Sequence, residues 1–163
     1  GRCAILFPHG VLFRPEEREM RIKLIENDLI EAVVGLGKEL FYNSPMEAMI
    51  LVGNTNKPDQ RKGKVLFING KDDVVNNKGQ AFLSGNHIDR LYQAYRDFID
   101  IPHFAKVASL NEIMELNGNM NVNFYVKCDN SGSKLDFQES LRNWITASDA
   151  LKDSMNALLK ECI

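Results

Sequence analysis

The side chains in this sequence that could act as bases, metal ligands or nucleophiles are three histidines, His9, His87 and His103, and three cysteines, Cys3, Cys128 and Cys162. A cysteine or serine nucleophile needs a base within hydrogen-bond reach, and no histidine shares a predicted element with a cysteine or with a serine in an elbow motif. The histidines also lack helical ligand spacing and lie near no cysteine or carboxylate cluster, so no metal site is expected. An odd number of widely spaced cysteines without a Cys-x-x-Cys pair reads as reduced thiols. Gly35-Leu36-Gly37 follows an apolar run and suggests a dinucleotide loop, in which glycines let a phosphate approach a helix N-terminus. The third glycine of that pattern is replaced by Leu40, however, and Pro45 stands where the helix should continue. The densest basic group, Arg61, Lys62 and Lys64, sits in a chain of net charge −2. It reads as a solvated loop rather than a nucleic-acid face.

With no catalytic cluster visible, the elements must say what the chain is built to hold. A length of 163 residues, with 44% hydrophobic and 26% charged, fits a soluble globular domain. No apolar run approaches the ~20 residues that cross a bilayer, and no signal-like segment opens the chain, so the expected location is cytoplasmic. The apolar run Cys3 to Phe7 reads as a strand beginning almost at Gly1. So apolar a strand calls for neighbours on both sides. The expectation is that its neighbour precedes Gly1, leaving residues 3 to 7 at a sheet edge open to another chain. Pro15, followed by Glu16, Glu17 and Glu19, then opens a helix to about Glu26, in which Glu17–Arg21 and Glu19–Lys23 are spaced four apart.

Leu29 to Leu36, Met46 to Val52 and Lys64 to Asn69 read as strands buried on both faces, interrupted only by Glu31 and Glu47 near the starts of the first two. The stretch from Asp72 to Ser84 is polar and rich in Gly and Asn, the best candidate for a boundary or mobile loop. Ile88, Leu91, Tyr92, Tyr95, Phe98 and Ile99 then recur at helical spacing up to Pro102, and Ser109 with Glu112 is a capping box for a short helix that Asn117-Gly118-Asn119 closes. After a linker at Asn130 to Ser133, Phe137, Leu141, Trp144, Ser148, Leu151, Met155, Leu158 and Cys162 alternate by four and three, a heptad seam. That seam either folds back on its own domain or meets a helix of another chain. The order, strand to helix to several strands, is an α/β pattern.

The ordered series of small matches carries a more specific reading. Pro8, Gly10, Val11, Leu12 and Phe13, the run Leu29 to Leu36, Leu40-Phe41-Tyr42, Ile50 to Val52 and Lys62-Gly63-Lys64-Val65-Leu66-Phe67-Ile68 resemble the methylation subunit of type I restriction-modification systems, a DNA adenine-N6 methyltransferase. Glu112-Ile113, Asn117, Asn119-Met120-Asn121-Val122 and Tyr125-Val126 are similar to that family's segment after the catalytic domain. The departures are Met120 for the usual Leu and a shortened Asn117 to Asn119 stretch. The resemblance covers about residues 1 to 127.

What the resemblance implies is the C-terminal part of a Rossmann-like methyltransferase sheet, its last strands including an antiparallel hairpin, followed by a small helical region and a coiled-coil-like helix. The corresponding divisions are 1–83 for the end of the methyltransferase domain, 84–129 for a post-catalytic segment and 134–163 for an assembly helix. The family's glycine-rich cofactor loop and Asn-Pro-Pro-aromatic motif do not occur here. This stretch alone is therefore expected to be inactive, with no catalytic residue and no bound S-adenosylmethionine, although the intact enzyme uses that cofactor. Ligands gather at the carboxyl ends of parallel strands, which would put Pro8, His9 and Gly10 on the active-site crevice. Phe41 matches the aromatic residue that packs on the extruded base, and its alternative role is to anchor its loop on the sheet. Leu141, Trp144, Leu151, Met155 and Leu158 are the expected subunit interface. The implied partners are DNA, the specificity subunit, further methylation subunits and the restriction subunit, with a homodimer through the open edge a further possibility. Competing readings are a stand-alone protein-interaction module, with the heptad helix and a Tyr92/Tyr95 face as its binding surfaces, and an unrelated nucleotide-binding α/β enzyme.

Overall fold

The computed structural model describes residues 1–41, 45–77, 80–127, 142, 144–148 and 152. Residues 1–128 form one compact unit and 129–163 a second. In the first unit, five strands make one sheet: β1 (Arg2–Pro8), β2 (Ile30–Leu36), β3 (Ala48–Asn54), β4 (Lys64–Gly70) and β7 (Ala105–Ser109), in the order β1-β3-β2-β4-β7. β1 pairs antiparallel with β3, and β3 antiparallel with β2. β2 runs parallel to β4, which pairs antiparallel with β7. So β1, β2 and β4 point the same way, and Pro8, Leu36 and Gly70 end at one edge of the sheet.

β1 lies at the rim, with β3 its strand neighbour, as expected of residues 3 to 7. Its exposure follows: Ile5 and Leu6 are both solvent-accessible, whereas every residue of β2 is buried. The sheet is covered on both faces around β2 and β4. One face carries Ile30, Val33, Met49, Val65 and Phe67 under α1 (Arg18–Glu26), α3 (Leu110–Glu115) and α4 (Val122–Tyr125). The other carries Ala32, Val34, Leu36, Leu66 and Ile68 under α2 (Gly85–Asp97). That two-faced burial is why β2 and β4 read as continuous apolar runs.

Several local features depart from the expectations. The Ala-Lys-Val-Ala-Ser stretch of β7 was not recognisable as a strand: it is short, and the residues it buries, Ala105 and Ala108, are small. The polar stretch after Asp72 holds a short antiparallel hairpin, β5 (Val75–Asn77) and β6 (Gln80–Phe82). α2 stops at Phe98, not at Pro102: Phe98 takes a left-handed conformation (φ 53°) with its N–H on the Ala94 carbonyl. Of the apolar stripe on α2, Leu91, Tyr95 and Phe98 pack inward beside Ala94, while Ile88, Tyr92 and Ile99 stay exposed.

α1 begins at Arg18, one turn after Pro15. Arg21 does not lie on the helix surface opposite Glu17; it is only 2% exposed. Its guanidinium donates to the carbonyls of Gly118 (3.0 Å), Val11 (2.9 Å) and Arg14 (2.8 Å), tying the first loop to the α3–α4 turn. A buried guanidinium is tolerable here because its fixed donor fork finds acceptors on each side. The capping box is formed as expected: Ser109 Oγ accepts from the Glu112 N–H at 3.2 Å and Glu112 accepts from the Ser109 N–H at 3.0 Å.

In the second unit, residues 142, 144–148 and 152 are helical and Trp144 is 68% exposed. Leu141, Leu151, Met155 and Leu158 lie outside the described residues. Among the described residues no helix is long and apolar enough to cross a membrane.

Candidate functional site

The carboxyl edge of β1, β2 and β4 collects the residues that the sequence singled out. Pro8 ends β1, and a turn of 3-10 helix at His9–Leu12 follows it. Phe41 comes from the β2–β3 connection, and it lines the same small groove, about 190 Å³, as Leu6, Phe7, Pro8, Met46, Glu47 and Ala48. The wall is apolar except for Glu47, and Phe41 is 36% exposed, so its ring is partly available to a ligand. Pro8 and Phe41, distant in sequence, are thus brought together.

His9 and Gly10 are placed differently. The His9 N–H donates to the Glu47 carbonyl (3.2 Å), and its ring meets the edge of Phe13 with centroids 5.6 Å apart. Burial and then Lys71 hold the His9 imidazole below its usual pKa, against the pull of Glu47. It therefore sits as a neutral spacer between strand ends. Gly10 lies beneath the Arg14 side chain, which a Cβ there would meet at 2.6 Å. Neither lines the Phe41 groove.

Beside that groove is a second cavity, about 470 Å³, lined by Gly37, Lys38, Glu39, Glu47, Lys71, Asp72 and Val74. Lys71 Nζ meets Glu47 Oε2 at 2.7 Å. Burial alone would raise the Glu47 carboxyl, but the hydrogen bond and charge of Lys71, with smaller contributions from His9 and Lys38, together hold it below the usual carboxylate range. Gly37 is the one glycine of Gly35-Leu36-Gly37 with a demanding role here. A Cβ on it would come within 2.2 Å of Val74 Cγ2 and 2.6 Å of the Lys71 carbonyl, so Gly37 permits a close backbone approach that a side chain would block.

At the opposite edge the sequence reading missed a buried polar cluster. Glu31 is fully buried and accepts from Asn54 Nδ2 (3.1 Å), Arg61 Nη1 (3.1 Å) and Tyr95 Oη (2.8 Å). A register shift in β2 between Ile30 and Ala32 turns Glu31 toward α2. Arg61 is therefore not a solvated loop cation: it also donates to the Arg96 carbonyl at 2.6 Å and lies over the rings of Phe98 (4.6 Å) and Tyr95 (5.4 Å). The signal that could have exposed it was a carboxylate within a strand buried on both faces, which must find partners. Among the described residues no group of three or more His, Cys, Asp or Glu is placed to hold a metal.

Five strands with helices on both faces, and a groove carrying an aromatic side chain where β1 ends, define a two-sided mixed α/β sheet. The N-6 DNA Methylase family matches residues 1–133. Over 142 residues the chain is 37% identical to the Type I restriction enzyme MjaVIII methylase subunit of Methanocaldococcus jannaschii, covering 85% of this chain and 25% of that protein. The MjaVII methylase subunit of the same organism is 34% identical over 147 residues, covering 88% and 26%. The solved type I restriction-modification methyltransferase subunit from Streptococcus thermophilus aligns with a TM-score of 0.73 at 34% identity, over 78% of this chain and 27% of that one. The chain belongs to the N-6 DNA methylase family. It spans about a quarter of the length of these relatives.

Proposed function

We propose that this chain is part of the DNA-methylating subunit of a type I restriction-modification system, which transfers a methyl group from S-adenosylmethionine to adenine N6. The observation that carries the reading is the Pro8–Phe41 groove at the carboxyl edge of a sheet shared with this family. A base turned out of the duplex needs a flat apolar wall to replace lost stacking, and Phe41 supplies one. Pro8 forms the facing rim. The larger cavity does not fit the methyl donor: five of its lining residues, Lys38, Glu39, Glu47, Lys71 and Asp72, are charged, and none is aromatic to stack on an adenine ring. The donor and the groups that take the amine's protons belong to other parts of the full-length protein, and residues 1–163 alone are inactive. The divisions at 1–83, 84–129 and 134–163 belong to the same reading, as does a cytoplasmic location.

The test is transfer of labelled methyl groups from S-adenosylmethionine to unmethylated genomic DNA by the full-length protein with its co-encoded subunits. N6-methyladenine in the product supports the reading; an intact complex that methylates no adenine removes it and leaves a protein-interaction module as the surviving class.

Partners follow from the same reading: DNA, the specificity subunit, further methylation subunits and the restriction subunit. Trp144, 68% exposed on a helical segment, together with Leu141, Leu151, Met155 and Leu158, is the proposed contact. Trp144→Glu in the full-length protein is expected to weaken subunit assembly about tenfold or more, since buried Trp anchors dominate interfaces. Co-purification by size exclusion reads this, and unchanged assembly would leave the helix packing on its own chain. The open edge of β1 is the proposed homodimer seam of residues 1–163 in isolation. Sedimentation should find dimers that Leu6→Lys converts to monomers, because an edge lysine opposes strand addition.

A further inference from the structure

The groove that holds Phe41 and the charged cavity beside it share one wall residue, Glu47. Three strand ends meet on it. Its carbonyl accepts from His9 at the end of β1, its carboxylate pairs with Lys71 just past β4, and it directly precedes β3. We infer that the Glu47–Lys71 pair, with the close approach of Gly37 to the Lys71 backbone, positions the β2–β3 segment that carries Phe41. This inference rests on the methyltransferase reading above.

The physical case is one of anchoring. Phe41 stands in a connection between two strands, and contacts that fix both ends of such a connection narrow the positions its middle can take. Gly37 fixes the leaving end of β2 against Lys71 and Val74, where no Cβ fits. Glu47 fixes the entry to β3. Lys71 is common to both contacts.

The turn that presents Lys71 is itself held. Asp73 N–H donates to the Gly70 carbonyl at 3.3 Å, and Asp73 Oδ1 pairs with Arg90 of α2 at 2.8 Å. The Arg90 guanidinium in turn lies over the Phe104 ring at 3.8 Å. A continuous set of contacts therefore runs from α2 through the Lys71 turn to both ends of the Phe41 segment. The pair is half-buried, 17% exposed at Lys71 and 24% at Glu47, so it is less screened by water than a surface pair. Lys71 and Glu47 are positioning residues: neither is asked to touch the base.

The test exchanges the charges in the full-length protein with its subunits, using unmethylated genomic DNA and S-adenosylmethionine. Lys71→Glu and Glu47→Lys should each lower kcat roughly 10- to 100-fold, the cost of misplacing a substrate-positioning group by about an ångström. KM for DNA should stay close to wild type, the signature of an effect confined to the transition state. The melting temperature of each single variant should fall, because like charges then face each other, so rates are compared well below it. Amide exchange at residues 37–41 and 45–48 should quicken in each single variant. The double variant, with the pair reversed, should recover kcat and exchange protection to within about threefold, because contacting residues couple. Single variants with wild-type kcat and exchange, or a double variant no better than the worse single, would overturn the inference. A wild-type protein that transfers no methyl group would instead remove the methyltransferase reading, and the exchange measurements would still decide whether the pair holds the segment.

Discussion

Arg61→Met should destabilise the fold by about 3 kcal/mol, the scale seen when one partner of a buried ion pair is removed. The reason is Glu31, which has no exposed surface and whose carboxylate, among the described residues, accepts from Arg61, Tyr95 and Asn54. Methionine keeps the aliphatic stem that packs near Phe98 but leaves Glu31 without its countercharge. Burial pushes the Glu31 carboxyl up; the hydrogen bonds from Tyr95, Arg61 and Asn54 outweigh that and hold it below the usual carboxylate range. A carboxyl with a lowered folded pKa favours the folded state fully above its unfolded pKa, and that contribution is lost as pH falls through the folded value. The variant loses the countercharge, so its Glu31 protonates more readily and needs Arg61 less in acid. Denaturant titrations should therefore show a larger loss at about pH 7 than at about pH 4. An equal loss at both, or a loss under about 1 kcal/mol, would mean that Glu31 is supported without Arg61.

This cluster also marks where sequence reading runs out. β2, β3 and β4 were legible because burial on both faces leaves an apolar run that little else produces. β1 was legible as a strand from its apolar run, and the strand order places it at the rim. Glu31 was visible as an interruption, but its partners stand at Asn54, Arg61 and Tyr95, in three other segments. No local pattern joins them, and a single charge of one sign in a strand does not say which distant cation turns inward. Arg61 was misplaced for that reason: its neighbours Lys62 and Gly63 are those of a solvated loop, while its own side chain reaches the α2 terminus. Lys57 is similar, nearly buried between Asp28 (2.5 Å) and the Lys64 carbonyl (2.9 Å).

The Asn119-Met120-Asn121-Val122 and Tyr125 series, noticed as a family resemblance, has a structural meaning that the residues alone did not disclose. Met120 and Val122 are fully buried against the sheet. Asn119 accepts from the Asn121 N–H at 3.0 Å, and Asn121 caps α4 through the Asn123 N–H at 3.1 Å. Tyr125 stacks on Phe67 with ring centroids 3.9 Å apart and donates to the Asn119 carbonyl at 2.6 Å. The asparagines close turns, and the apolar residues between them cover β4. The motif holds this segment on the sheet. The Pro8–Phe41 meeting was legible in part: the ends of parallel strands told where Pro8 would lie, but only pairing of β1 with β3 brings the β2–β3 connection beside it.

Phe41→Ala in the full-length protein should slow methyl transfer roughly 5- to 150-fold, the range that corresponds to losing one base-aromatic stack. Binding of S-adenosylmethionine should stay within about twofold, because a residue that only stacks on the base contributes to base extrusion and not to the donor. Alanine alone does not separate stacking from anchoring, since it removes both the π-face and the apolar bulk that fills the groove with Met46 and Ala48. Phe41→Leu does. Leucine fills much of the same space and retains the anchor, but offers no ring to an extruded adenine. If stacking is the role, Leu should be nearly as slow as Ala, and Phe41→Trp should keep most of the rate. Should Leu instead restore the rate while Ala alone quickens amide exchange at residues 37–41, Phe41 is an anchor, and the wall of the base pocket must come from another part of the protein.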